Sequence, residues 1–256
     1  MQLRPLRHLA LCSALCLISA CASTPAPVKS ADAHFKEGEA AYASRNYAEA
    51  IESWKKVKES DTAPGLTSQA ELKIADAHFE NKAYIEAAAA YEDFRKLHPT
   101  HPQAPYALYR LALSHYQQIT GTDTDQTPVK NAVATLEAFL GQYPRSEYAP
   151  ELSGKLADCR DKQLAYENYV GNFYLRTEKY QSAIKRLNEA LVRFPGLTRL
   201  DDTLFYLGKA YLKAGDVKQG KVVLQRLAAE HPGSPRNKEA AALLQKGFAD
   251  YSSHGV

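Results

Sequence analysis

The sequence predicts an all-α protein, a superhelical solenoid of five helical hairpins closed by a capping helix. Three observations predict it. A pattern of small and bulky residues returns five times at a spacing near 34 residues, prolines punctuate the unit ends, and no alternating apolar run is long enough to suggest a sheet. At 45% hydrophobic, 256 residues can bury a continuous core, which a solenoid forms between neighbouring units instead of around one centre.

Each unit can be numbered 1 to 34 against the tetratricopeptide pattern. The first, Ala31 to Pro64, places Gly38 at position 8, Ala50 at 20, Trp54 at 24 and Val57 at 27. The second, Ser68 to His101, places Ala75, Ala87, Tyr91, Phe94 and Pro99 at the corresponding positions. The third starts at Pro105 with Leu108, Leu111 and Ala112, and resumes with Ala132, Leu136, Phe139 and Pro144 after about eight inserted residues. The fourth, Leu164 to Leu197, carries Gly171, Tyr174, Ala183, Leu187, Ala190 and Pro195. The fifth, Asp201 to Ser234, carries Gly208, Tyr211, Gly220, Leu224, Leu227 and Pro232. Small residues at 8 and 20 let helices A and B of one hairpin cross closely. Bulky residues at 24 and 27 fill the faces that meet. Proline at 32 ends helix B, because the residue before it is pushed out of the helical region.

Residues 1–20 read as a secretory signal, with Arg4 and Arg7 before the apolar stretch Leu9 to Ile18, ten residues and too short to span a bilayer as a helix. The stretch ends in Ile18-Ser19-Ala20-Cys21, which resembles a bacterial lipobox. That resemblance implies acylation of Cys21 as the first mature residue and, with Ala22 following, outer-membrane placement. Cleavage without lipid would leave Cys21 an ordinary thiol. Residues 21–30, with Pro25 and Pro27, read as an extended tether that holds the first repeat near the membrane surface. Cys12 and Cys16 leave with the signal, so Cys159 is the remaining mature thiol and an internal disulfide is excluded. Its place beside Leu156 in a helical stretch marks it as a buried small hydrophobe.

Charge points away from nucleic acid. Loss of Arg4 and Arg7 takes Lys+Arg from 32 to 30 against 29 acidic residues, and neither a basic arm nor an acidic tail is present. Catalytic and cofactor motifs are also missing: no phosphate-binding loop, zinc-type cysteine pairing or nucleophile elbow occurs. His98 and His101 precede prolines at a unit end without a nearby third ligand, which suits solvated turn histidines better than a metal pair. Glu37, Glu39 and Asp76 read as solubilising carboxylates. The chain is expected to be a non-enzyme without cofactor or metal.

Function is therefore expected on surfaces. Positions 5 and 12 of helix A point to the concave side of such a solenoid. They hold Phe35 and Tyr42, Leu72 and Phe79, then Tyr109 and Tyr116 in the first three units. This aromatic lining suits an extended peptide, although rings packed between adjacent helices would share the same period. The insertion around Ile119 to Asn131 is polar and turn-rich and should protrude between the helices of the third unit. Arg145 to Gln163 is an extra segment with helical apolar spacing, and no proline after Pro150 interrupts it before Tyr174. A long or bent helix there divides the chain into proximal repeats over residues 31–146 and a distal part over residues 147–256. The distal part comprises the long helix, repeats 4 and 5 and a capping helix.

The lipobox, the five units, the insertion and the long helix together resemble the competence-lipoprotein family of outer-membrane assembly lipoproteins. The strings that carry the likeness are Tyr143-Pro144-Arg145-Ser146-Glu147-Tyr148-Ala149, Leu164-Ala165-Tyr166-Glu167, Val170-Gly171-Asn172-Phe173-Tyr174 and Arg193-Phe194-Pro195-Gly196. The resemblance implies a lipid-anchored scaffold at the outer membrane, facing the periplasm. Its distal repeats would dock on the core barrel subunit with periplasmic repeats, and its proximal repeats would meet client outer-membrane proteins. It also implies a docking arginine on helix B of the fourth unit, matched by Arg186 in Ile184-Lys185-Arg186-Leu187. The alternative is another envelope lipoprotein of this repeat class, a secretin or pilus pilot or a peptidoglycan-linked adaptor.

Overall fold

The computed structural model describes residues 29–60, 64–197 and 199–252; the signal segment, Cys21 and most of the tether lie outside the described residues. Among the described residues the chain is entirely helical, with eleven helices. The hairpins are α1 (Ala31–Ala43) with α2 (Tyr47–Glu59), α3 (Pro64–Glu80) with α4 (Tyr84–Leu97), and α5 (Ala104–Gln117) with α6 (Thr127–Gln142). Then come α7 (Ala149–Arg176) with α8 (Tyr180–Arg193), α9 (Leu200–Lys213) with α10 (Val217–Glu230), and the cap α11 (Asn237–Ser252). Each helix packs on the next in sequence, and the cap packs on α9 and α10.

The small residues at positions 8 and 20 do lie where the helices approach, Gly208 and Gly220 each facing the other's carbonyl in the fifth unit, and position 8 lies directly against the bulky residue at position 24. A methyl carbon added at Gly38 would stand 2.4 Å from Trp54 Nε1, one at Gly171 2.6 Å from Leu187 Cδ2, and one at Gly208 2.6 Å from Leu224 Cδ2. Trp54, Tyr91, Leu136 and Leu187, all at position 24, are fully buried. Full burial of such side chains contributes about 1.5–3 kcal/mol each.

The turn between helices A and B shows a second regularity. Position 15 is left-handed in four units: Arg45 (φ 61°), Lys82 (φ 60°), Glu178 (φ 59°) and Gly215 (φ 86°). This conformation closes helix A, because the next amide reaches back to a carbonyl of the last turn. Asn46 N donates to Ala41 O at 2.8 Å, and Ala83 to His78, Lys179 to Tyr174 and Asp216 to Tyr211 at 2.9 Å each. Only the fifth unit uses glycine there. In the third unit the insertion replaces this turn with an exposed loop, pinned by Thr124 Oγ1 donating to Gly121 O at 2.7 Å.

The extra segment and helix A of the fourth unit are one helix. α7 runs 28 residues, about 42 Å at 1.5 Å per residue. Pro150 sits in its first turn, where a missing N–H costs nothing. Its first half supplies Leu152, Leu156 and Cys159 to the core of the second and third hairpins, beside Leu108, Leu136 and Phe139. Its second half supplies Leu164 to a separate cluster with Ala190, Phe194 and Leu200. Thus one rod closes the proximal core with one end and opens the distal core with the other. Among the described residues no helix is both long and apolar enough to cross a membrane.

Candidate functional site

The rings expected to line the first three hairpins, Phe35, Tyr42, Phe79, Tyr109 and Tyr116, are each half-buried, packed against the core and engaged by a neighbour. Phe35 and Tyr42 lean on Trp54, with centroids 6.4 and 5.8 Å away. Phe79 meets Tyr84 edge-on at 5.3 Å. Tyr109 stacks on Tyr148 at 4.1 Å and donates its hydroxyl to Glu151 at 2.9 Å, while the Tyr116 hydroxyl donates to Asp158 at 2.8 Å. Burial, reinforced by nearby carboxylates, pushes the hydroxyls of Tyr42, Tyr109 and Tyr116 up to about 12, so they remain hydrogen-bond donors.

A set of cations that the sequence reading did not single out completes this lining. The ring at position 12 in each of the first three units is faced by a cation two helices further on: Lys73 of α3 over Tyr42 at 5.8 Å, Arg110 of α5 over Phe79 at 3.8 Å and Lys155 of α7 over Tyr116 at 4.4 Å. Two of the cations are also neutralised, Lys73 by Glu39 at 3.1 Å and Arg110 by Glu80 at 2.8 Å. The lining is thus a series of partly covered rings with balanced charge. A basic residue at position 6 of successive A helices was the available signal, and Lys155 keeps it because Pro150 restarts the A-helix register of Pro105.

Asp76, read from the sequence as a solubilising carboxylate, is instead an interior acceptor. Its Oδ1 accepts from Tyr91 at 2.5 Å and Tyr106 at 2.9 Å, with Arg110 Nε 3.9 Å away. Burial raises its pKa despite the two hydroxyls and the guanidinium, which pull the other way. His98 also departs from a solvated turn residue. It is half-buried with its ring 5.0 Å from Phe94, and its Nε2 lies 2.6 Å from Glu71 Oε2. Lys58 holds the other oxygen of Glu71 at 3.3 Å. No group of three metal-binding side chains occurs among the described residues. Cys159 is fully buried, and burial pushes its thiol up to about 11.

Arg186 lies on α8 and lines a cleft of about 370 Å³ between α6, α7 and α8. Its Nε stands 2.5 Å from Glu167 Oε2 on α7. The N–H is not aligned on that oxygen, so the contact is an ion pair by proximity. Arg193 approaches the other oxygen of Glu167 at 3.7 Å. One half-buried carboxylate therefore holds two arginines toward α7, while Lys130 enters the same cleft from α6. The arrangement offers positive charge to an incoming acidic group only in exchange for the internal pair.

The family described as outer membrane lipoprotein, YfiO, matches residues 27–219. Outer membrane protein assembly factor BamD of Caulobacter vibrioides is 28% identical over 199 residues, 78% of this chain and 65% of that protein, just under two thirds of its length. The protein of the same name from Vibrio cholerae serotype O1 is 27% identical over 214 residues, 79% of this chain and 89% of that protein. Among solved structures, the TPR2AB-domain:pHSP90-complex of yeast Sti1 aligns at a TM-score of 0.41 and 16% identity, covering 87% of this chain and 86% of that one.

Proposed function

The chain belongs to the YfiO family of outer membrane lipoproteins, and we propose that it serves as an assembly factor for outer-membrane proteins. The observation that carries this reading is the family match over residues 27–219, together with relatives named as outer membrane protein assembly factors along most of the chain. In this reading residues 1–20 direct export, Cys21 carries the lipid and residues 21–30 tether the solenoid to the periplasmic side of the outer membrane. Two or more acyl chains hold stably where one does not. The chain has no catalytic task; it brings partners together.

Two faces carry the work. The proximal lining of Phe35, Tyr42, Phe79, Tyr109 and Tyr116 contacts client barrel segments. Half-buried rings with balanced charge support such a role, because they offer apolar contact without a large electrostatic preference. The Arg186 cleft docks the core barrel subunit through an acidic group that takes the place of Glu167. Its position between the last proximal helix and the distal hairpins supports a docking point that braces both parts.

Depletion of the chain in cells, followed by comparison of folded and unfolded outer-membrane barrels on gels with and without heating, tests the reading. Accumulation of unfolded barrels is expected. Normal barrel folding after complete depletion would overturn it.

A further inference from the structure

The tether joins the solenoid at one particular edge. α1 begins there at Ala31, and the antiparallel packing of successive helices brings the end of α2, the start of α3 and the end of α4 to the same edge. Glu71 of α3 fixes that junction, held by Lys58 of α2 at 3.3 Å and by His98, just beyond α4, at 2.6 Å. Beside it opens a cleft of about 430 Å³. Ile74 and Phe94, 8% and 1% exposed, form its wall, and Leu97 stands at its mouth, 64% exposed. An aliphatic side chain this open beside an apolar cleft presents surface whose removal from water is favourable.

We propose that the solenoid rests on the membrane at this cleft, which takes an acyl chain of a zwitterionic phospholipid from the leaflet that holds the Cys21 lipid. The inference rests on the reading of Cys21 as the lipid anchor. Reach supports the occupant. Residues 21–30 span at most about 33–36 Å when fully extended. α1 lies against α3 and α3 against α4, two interaxial steps of about 8–10 Å each. The cleft therefore stays within the tether's reach of the bilayer. Charge selects the headgroup. The rim sets Lys58 and Lys96 against Glu71 and Asp93, so the two signs balance. Lys96 is paired with Glu92 at 2.8 Å, a surface contact that water screens, which leaves its ammonium free to turn to a phosphate. Asp93 is exposed and has no ion pair among the described residues, which suits the ammonium of the same headgroup.

The test uses the full lipidated chain, floated on vesicles of phosphatidylethanolamine and phosphatidylcholine. Leu97→Cys and Ile85→Cys are each labelled with a polarity-sensitive dye, since Cys159 is buried and Cys21 is acylated. Ile85 is the control: an open aliphatic on the same helix, 71% exposed, at the opposite edge, about 18 Å away along the axis. Emission from position 97 should move to shorter wavelength on vesicles and be lost when the acyl chains carry nitroxides, while position 85 does neither. A shifted but unquenched label at position 97 would overturn the proposal, because protein, such as the chain's own tether, then covers the cleft. Equal quenching at both positions would overturn it too, since the chain then meets the bilayer without a preferred edge. Failure to float refutes the anchor reading and this inference with it, whereas a floating chain with position 97 unquenched refutes the cleft alone.

Discussion

Gly38→Ala tests the packing rule on which the solenoid rests. The added methyl would stand 2.4 Å from Trp54 Nε1 and 2.6 Å from Cδ1 and Cε2. Trp54 is fully buried and its indole N–H donates to Phe35 O at 3.3 Å, so the ring has little freedom to withdraw. Overpacking costs about 1–3 kcal/mol, and the upper part of that range applies to a rigid ring. Replacing a mid-helix glycine by alanine returns roughly 1 kcal/mol. The net loss is about 2 kcal/mol, near 1 M in urea midpoint. Trp54 is the only tryptophan in the chain, so its fluorescence reports the first hairpin directly. The double variant Gly38→Ala/Trp54→Tyr copies the Ala75 and Tyr91 combination of the second hairpin. Followed by circular dichroism, it should recover about 1 kcal/mol relative to the sum of the single changes. A midpoint that stays the same or rises in Gly38→Ala would refute the reasoning.

Other outcomes follow from the same geometry. Glu178→Gly should stabilise the fourth hairpin by roughly 0.5–1 kcal/mol in thermal melts, since Glu178 holds φ 59° where the fifth unit already uses Gly215. The pKa of Asp76 is raised in the folded chain, so its contribution to stability is full below the ordinary aspartate range and is lost as pH rises through the raised value. Asp76→Asn should remove that downward stretch from a plot of urea midpoint against pH; a curve identical to the parent would count against an interior acceptor. Cys159 should resist thiol reagents at pH 8 in the native protein and react on denaturation, because it is buried and its thiol is pushed up to about 11. Arg186→Gln should weaken capture of the core barrel subunit with helicity unchanged. It is a cleaner test than charge reversal, which would set a second carboxylate beside Glu167.

Much of the fold was legible because its determinants lie within one unit. Gly38 and Trp54, or Gly171 and Leu187, fall at fixed offsets, and a spacing argument finds them without coordinates. The long helix was legible from the lack of a proline after Pro150, although its double duty was not, since Leu156 and Leu164 look alike in sequence and serve different cores. The rings of the lining were legible as a period, but their covering was not. Lys73, Arg110 and Lys155 reach rings of the preceding unit, and such contacts depend on how successive hairpins stack. Asp76 and His98 escaped for the same reason: each is a polar residue on a helix or turn whose partners come from other helices. The left-handed turns at Arg45, Lys82 and Glu178 gave no signal, because none of those residues favours that conformation.

The central claim is that this solenoid works as a membrane-anchored scaffold on a barrel subunit. Affinity capture of the full-length chain from outer membranes in mild detergent tests it most directly, with the Arg186→Gln form captured in parallel. The account predicts recovery of a large outer-membrane barrel bearing periplasmic repeats, reduced in the Arg186→Gln sample. Capture of the intact chain from the outer membrane without any such barrel would contradict it.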